Sequence, residues 1–280
     1  MKKHLLFPLF WAIASAGLFS QPVSFLTYNI RYDNPADSGD AWPKRREFLA
    51  RQLRFHAPDV FGIQEGLRHQ VVYLLEQLPA YNFVGVGRDD GREDGEYSAL
   101  FFKRDRFRLL ESGTFWLSER PDTVSKGWDA ALPRICTWAL LAEKRGKRKF
   151  LVYNTHFDHI GKEARKSSAA LILRKIMEKN TKNYPVVVMG DLNSSPNSEP
   201  VWMFSQNLRD AYAHTIEPPF GPPGTFNGFK FHDPVELRID YIFVSPDLKV
   251  QKYAVLSDSK NCRYPSDHLP VLIQIMMNDE

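Results

Sequence analysis

Short apolar or alternating stretches rich in Val, Ile, Phe and Tyr recur along this chain. They predict strands at Val23–Asn29, Val60–Glu65, Phe83–Gly87, Ser98–Phe102, Arg108–Trp116, Ile135–Ala142, Phe150–His156, Val186–Gly190, Ile239–Val244, Val250–Leu256 and Leu269–Met276. Three longer segments carry helical spacing. Lys44–His56 follows Pro43, Leu67–Leu78 places Val71, Leu74, Leu75 and Leu78 on one face, and Lys162–Lys179 does the same with Ala169, Leu173, Ile176 and Met177. Many strands against three long helices predict a layered α/β (α+β) domain rather than a bundle. The charged loop Arg88–Glu96 and the Pro-rich loop Glu217–Gly224 fit neither period, and neither is long enough to link two domains.

The first twenty residues depart from this pattern. Lys2, Lys3 and His4 precede an apolar run from Leu5 to Phe19, with small-residue cleavage points after Ala16 or Ser20. Residues 1–20 therefore read as an export signal and residues 21–280 as one domain. The alternative, an N-terminal membrane anchor, needs a longer apolar span. The mature protein is expected to be exported (periplasmic or secreted), monomeric and without a membrane span. Its 43% hydrophobic and 25% charged residues exclude global disorder. Removing Lys2 and Lys3 leaves 35 Lys+Arg against 33 Asp+Glu, so the net charge falls from +4 to +2. That balance does not argue for a nucleic-acid partner. An oxidising compartment permits a Cys136–Cys262 disulfide, although two unpaired thiols are the favoured reading, and no Cys–His spacing suits zinc.

Chemistry gathers at the strand ends. Asn29, Glu65 and His156 each close an apolar strand, and Asp191 and Asn193 follow another. Strand alternation puts Glu65 on the face of Phe61 and Ile63. Late in the chain the order reverses, because Asp240 and Asp267-His268 precede their strands. If those two strands run antiparallel to the earlier ones, all of these residues meet at one edge of the layers. Each residue alone could be a turn or cap residue. Their recurrence is what asks for a common cause. Clustered carboxylates need protons or cations to persist. Oxygen donors from Glu65, Asp191, Asp267, Asn29 and Asn193 favour magnesium, manganese or calcium over zinc.

Leu26–Arg31, Ile63-Gln64-Glu65, Glu96-Tyr97-Ser98, Asn154-Thr155-His156, Gly190–Asn193, Arg238–Tyr241 and Ser266-Asp267-His268 occur in the order found in the endonuclease/exonuclease/phosphatase (deoxyribonuclease I-like) superfamily. The chain resembles that family from residue 26 to 268, and within it the exported bacterial metal-dependent hydrolases. The resemblance implies a four-layer sandwich of two packed mixed sheets flanked by helices, and hydrolysis of a phosphoester by activated water. It implies that Glu65, Asn29 and Asp267 hold Mg2+ or Mn2+ (Ca2+ a third candidate), and that Asp191 and Asn193 manage the attacking water. His156 and His268 would contact the phosphate, oriented by Glu96 and Asp240 respectively. A carboxylate beside each imidazole would make it a cation facing the developing charge.

Substrate contacts are open to two readings each. Arg31 and Arg134 could fork onto a phosphate or form interlayer salt bridges. Tyr97, Trp128 and Phe226 could wall a pocket or pack in the core. The basic run Lys144–Lys149 falls in a turn at the opposite end of the strand that carries His156, so it forms no groove at the site. A small or exposed phosphoester is favoured over DNA or RNA as the substrate. The alternatives are an exported nuclease, or a non-catalytic phosphate- or glycan-binding protein on the same fold.

Overall fold

The computed structural model describes residues 21–146 and 148–276; the expected export signal lies outside the described residues. β1 (Val23–Asn29) leads through α1 (Trp42–His56) into a parallel neighbour, β2 (Val60–Gln64). α2 (Arg68–Gln77), β3 (Tyr81–Val84) and β4 (Leu100–Lys103) follow. β5 (Phe107–Trp116), β6 (Ile135–Glu143) and β7 (Lys149–His156) form an antiparallel meander. α3 (Lys162–Lys179) then returns the chain to β8 (Val186–Asp191), parallel to β7. After α4 (Glu199–Asn207), β9 (Arg209–Asp210) and α5 (Ala211–His214) come β10 (Asp240–Val244), β11 (Lys249–Val255) and β12 (Val271–Met276).

Two six-stranded sheets result, ordered β11-β12-β1-β2-β4-β3 and β5-β6-β7-β8-β10-β9. Each has a parallel pair at its centre bridged by a helix, as crossover connections require. β12 is antiparallel to β1, and β10 is antiparallel to β8 with Asp240 opposite Asp191. Strands entered at their polar end therefore bring Asp240 and Asp267-His268 to the edge where β1, β2, β7 and β8 terminate.

Alternation sorts the core into three layers of contact. Phe25, Val60, Phe150, Val152, Val187, Ile242 and Ile273 are buried between the sheets. Leu26, Tyr28, Phe61, Ile63, Leu49 and Leu74 pack beneath α1 and α2. Tyr153, Val188, Phe243, Ile172 and Phe204 pack beneath α3 and α4. This is the expected four-layer sandwich. Burying each such Val, Ile or Phe side chain contributes about 1.5–3 kcal/mol. The helix α4 was not expected from the sequence, since Pro200 and the polar residues Ser205, Gln206 and Asn207 obscure its period. Pro200 is accommodated because it lies in the first turn, where its missing N–H has no helical partner. Among the described residues, no helix is long and apolar enough to cross a membrane.

A polar tie crosses the apolar interlayer just below the site. Asn154 on β7 donates through Nδ2 to the Ile63 and Ala99 carbonyls at 2.9 and 3.0 Å, and its Oδ1 accepts from Gln64 Nε2 at 2.6 Å. Gly62 makes room for it, since a Cβ there would collide with the Asn154 amide. Cys136 and Cys262 are both free, the first buried and the second exposed.

Candidate active site

β7 and β8 end in register, His156 beside Asp191. Gly190 allows this, because it adopts φ +148° and a Cβ would strike the Thr155 carbonyl. Asp191 is the point of convergence. Its Oδ2 accepts from Asn29 Nδ2 at 3.0 Å and lies 3.5 Å from His156 Nε2 and 3.8 Å from His268 Nε2. Its Oδ1 accepts from the Asn193 backbone at 2.8 Å. Burial first, and the neighbouring Asp240 second, raise the Asp191 carboxyl to about 7.

Glu65 reaches this point by a route that alternation did not foresee. Phe61 and Ile63 face the helices, whereas Glu65 adopts φ +64° and turns towards the other sheet. There Oε1 accepts from Asn29 Nδ2 at 3.0 Å and Oε2 from the Tyr32 backbone at 3.1 Å. Arg31 and Asn193 are also left-handed, at φ +54° and +45°. Three non-glycine residues in that sparsely occupied region, all at one strand edge, mark backbone strain held by the surrounding contacts. Part of the restraint is Arg45 on α1, buried and donating to the Arg31, Asp40 and Pro265 carbonyls at 2.7, 2.8 and 3.1 Å. It ties the loop after Asn29 to the loop before Asp267. In the sequence, Arg45 carried no signal beyond its place in the helix expected at Lys44–His56.

The two histidines sit in opposite surroundings. His268 Nδ1 lies 2.8 Å from Asp240 Oδ2. Burial works against its charge, but Asp240, Asp191 and Asp267 outweigh it and raise the imidazole to about 10. The Asp240 backbone is fixed in turn by Thr225 Oγ1, which accepts its N–H at 3.1 Å. His156 differs. Arg134 Nη1 lies 3.0 Å from its Nδ1, whereas Glu96 Oε2 is 3.9 Å away and bound to Arg88 Nη1 at 2.7 Å. Burial, then Arg134 and Arg88, pull His156 well below the usual imidazole range. The expected Glu96–His156 pairing, with a cationic His156, is thus replaced by a guanidinium beside a neutral ring. A guanidinium only donates, and Arg134 Nη1 reaches both ring nitrogens, lying 3.3 Å from Nε2 as well as 3.0 Å from Nδ1. Asn193 Nδ2, 3.1 Å from Nε2, spends a hydrogen on the Phe157 carbonyl at 3.0 Å.

The remaining candidates separate clearly. Arg31 spends its fork on Asp37, Nε and Nη2 each donating at 3.0 Å, and lies 3.9 Å from Glu65 and 3.8 Å from Asp267. Arg134 is buried with Asp158, His156 and His159 around it. Phe226 sets its ring edge-on to His268, centroids 5.0 Å apart. Tyr97 is buried beneath the helices and donates to the Arg92 carbonyl, so it belongs to the core. Trp128 is half-buried against the core under α3. Arg88, Asp158 and His159 were missed; their only sequence signals were the charged loop 88–96 and the position immediately after a chemistry-bearing strand. A groove of about 630 Å³ near Phe83, Phe107 and Lys144 has no carboxylate or imidazole in its lining and is no rival site.

Hard-oxygen donors here fit a divalent cation. Asp267 is raised by burial and by the negative charge of Glu65, and the Arg31 guanidinium between them is already claimed by Asp37. The charges of His268, Arg31 and Arg45 oppose that shift without overcoming it. Asp191, Asp240 and His268 also offer atoms within 4.8 Å of one another, but His268 Nδ1 is committed to Asp240.

Two packed mixed sheets that converge carboxylates and imidazoles on one buried aspartate match one family of phosphoester hydrolases. The chain belongs to the Endonuclease/Exonuclease/phosphatase family, whose model matches residues 26–268. Enzymes of this family depend on divalent metal. A family member from Bacteroides thetaiotaomicron is similar in structure, with a TM-score of 0.89 and 41% identity over 92% of this chain and 100% of that one. A mannosyl-6-phosphatase from Bacteroides thetaiotaomicron VPI-5482 shows a TM-score of 0.88 and 42% identity over 91% and 100%. Nocturnin from Mus musculus is 24% identical over 267 residues, 85% of this chain and 59% of that one. The chain spans 49–59% of the length of this and comparable curated relatives.

Proposed function

We propose that this protein hydrolyses a small, exposed phosphomonoester, a hexose phosphate foremost, by in-line attack of water. The observation that carries the reading is the convergence of His156, His268 and Asn29 on a single oxygen of Asp191. Asp191 accepts the proton of the attacking water, its carboxyl raised towards neutrality and its orientation locked by the Asn193 backbone. Cationic His268 faces the charge that develops on the phosphoryl oxygens, with neutral His156 on the other side of Asp191 Oδ2 as a second polar contact. Glu65, Asn29 and Asp267 would hold magnesium or manganese (calcium third), which supplies charge neutralisation at the phosphoryl group. The monoester is supported by the 42% identical mannosyl-6-phosphatase, and by a basic turn that lies at the far end of β7.

The test is hydrolysis of mannose 6-phosphate, p-nitrophenyl phosphate and bis-p-nitrophenyl phosphate with magnesium or manganese, then with EDTA. Metal-dependent cleavage of the monoesters is expected, lost with EDTA. Preference for the diester would replace this reading with a nuclease-like one, and silence on all three with a binding protein. Export of the protein, periplasmic or secreted, belongs to the same proposal and is checked by fractionating cells that express the full chain.

A further inference from the structure

The geometry points to His159 as a substrate-contacting residue that reads the leaving group, and this rests on the phosphomonoesterase reading above. Arg134 opens β6 from a buried position and distributes its guanidinium over three partners. Nη1 lies 3.0 Å from His156 Nδ1, Nη2 lies 3.0 Å from His159 Nδ1, and Nε faces Asp158 Oδ2 at 3.5 Å. Because it can only donate, the His159 imidazole accepts at Nδ1 and presents its Nε2–H.

Asp158 makes this arrangement rigid. Burial would raise its carboxyl, yet the backbone N–H groups of Gly161, Ala131 and Ile160, with Arg134, hold it at about 2. Its Oδ1 accepts from Ile160 and Gly161 at 3.0 and 2.8 Å, and its Oδ2 from Leu132 at 3.3 Å. The two loops that flank Arg134 are therefore clamped by one carboxylate.

The difference between the two rings is depth. His156 is buried against Asp191, whereas His159 is exposed, one guanidinium further out. In this assignment the leaving group of a phosphoryl group seated between His156 and His268 extends outwards, on the side of Arg134 where His159 stands. There the Nε2–H is a fixed donor for a hydroxyl. Leu132 and Ile160, 38% and 64% exposed, offer apolar surface beside it for the carbon face of a sugar.

The experiment compares kcat/KM for mannose 6-phosphate with kcat/KM for p-nitrophenyl phosphate, whose leaving group carries no sugar hydroxyls, in wild type, His159→Phe and His159→Gln. His159→Phe is expected to lower the ratio about tenfold, the size of one lost hydrogen bond, with the change in KM rather than kcat. His159→Gln keeps an N–H donor and is expected to hold the ratio within about threefold. An unchanged ratio in His159→Phe, or an equal fall in His159→Gln, overturns the assignment. Failure of the wild-type enzyme on mannose 6-phosphate removes the underlying reading instead, before any variant is compared.

Discussion

His156, closing β7 of one sheet, and His268, leading into β12 of the other, are both buried at the same edge of the sandwich and approach the same oxygen of Asp191, yet their charge states differ. Around His268 stand Asp240, Asp191 and Asp267, which keep it cationic. Around His156 stand Arg134 and Arg88, which keep it neutral. Residue type and burial are the same, so the neighbours decide. A site that needs one cation and one neutral imidazole can build both from histidine, by surrounding one with carboxylates and the other with guanidiniums.

The largest effect that separates them is expected from the same substitution at each. Glutamine supplies a neutral N–H donor and no charge. His268→Gln removes a cation facing the phosphoryl oxygens and should lower kcat by about 10²–10³-fold. His156→Gln replaces one neutral polar group by another and should cost about tenfold. Steady-state kinetics on variants whose circular dichroism matches wild type gives the answer. Equal losses would mean that both rings act in the same protonation state.

A pH profile sharpens the contrast. Asp191, raised to about 7, must lose its proton to act as a base, so kcat/KM should rise towards pH 7. His268, raised to about 10, stays charged until well above neutrality, so activity should fall near pH 10. In His268→Gln the alkaline fall should vanish while the acid limb remains. Raising the divalent-cation concentration should move the acid limb to lower pH, since added positive charge favours the Asp191 carboxylate. Stability follows the same sign. A histidine whose folded pKa exceeds its ordinary 6.5 contributes stabilisation that is complete below that value and lost as pH rises through about 10. Melting temperatures across that window should fall more steeply in wild type than in His268→Gln.

Much of this edge was legible in the sequence, and the reasons are local. Asn29, His156 and Asp191 follow apolar runs, and Asp240 and His268 precede them, so strand direction alone carries them to one edge once β10 and β12 run antiparallel. The approach of Glu65 was not legible, because alternation describes a strand and Glu65 leaves it with φ +64°. Nor was the partner of His156. Arg88 and Arg134 lie in or beside segments without periodicity, and where such segments fold back depends on contacts such as the Asp158 clamp. Asp37, which occupies the Arg31 fork, lies in a short 3-10 helix (Pro35–Asp40) that carries no buried residue, and hence no hydrophobic signal.

The smallest expected effect tests the pairing that a strand-end reading favours. If Glu96 oriented His156 as Asp240 orients His268, Glu96→Gln would cost as much as Asp240→Asn. The distances oppose this, with 3.9 Å from Glu96 to His156 against 2.8 Å from Asp240 to His268. The Glu96 carboxylate instead neutralises Arg88, 2.7 Å away, and lies 3.9 Å from Arg134. Removing its charge leaves two buried guanidiniums less balanced and pushes His156, already neutral, further from protonation. Glu96→Gln should therefore lower kcat by only about two- to threefold, and leave both pH limbs in place. Its cost should show as a lower melting temperature, because the buried Arg88 Nη1 loses a charged acceptor. Asp240→Asn, measured beside it, should lower kcat by about 10²-fold or more and remove the alkaline limb. A Glu96→Gln loss of that same size, with a shifted limb, would show that His156 depends on its carboxylate after all.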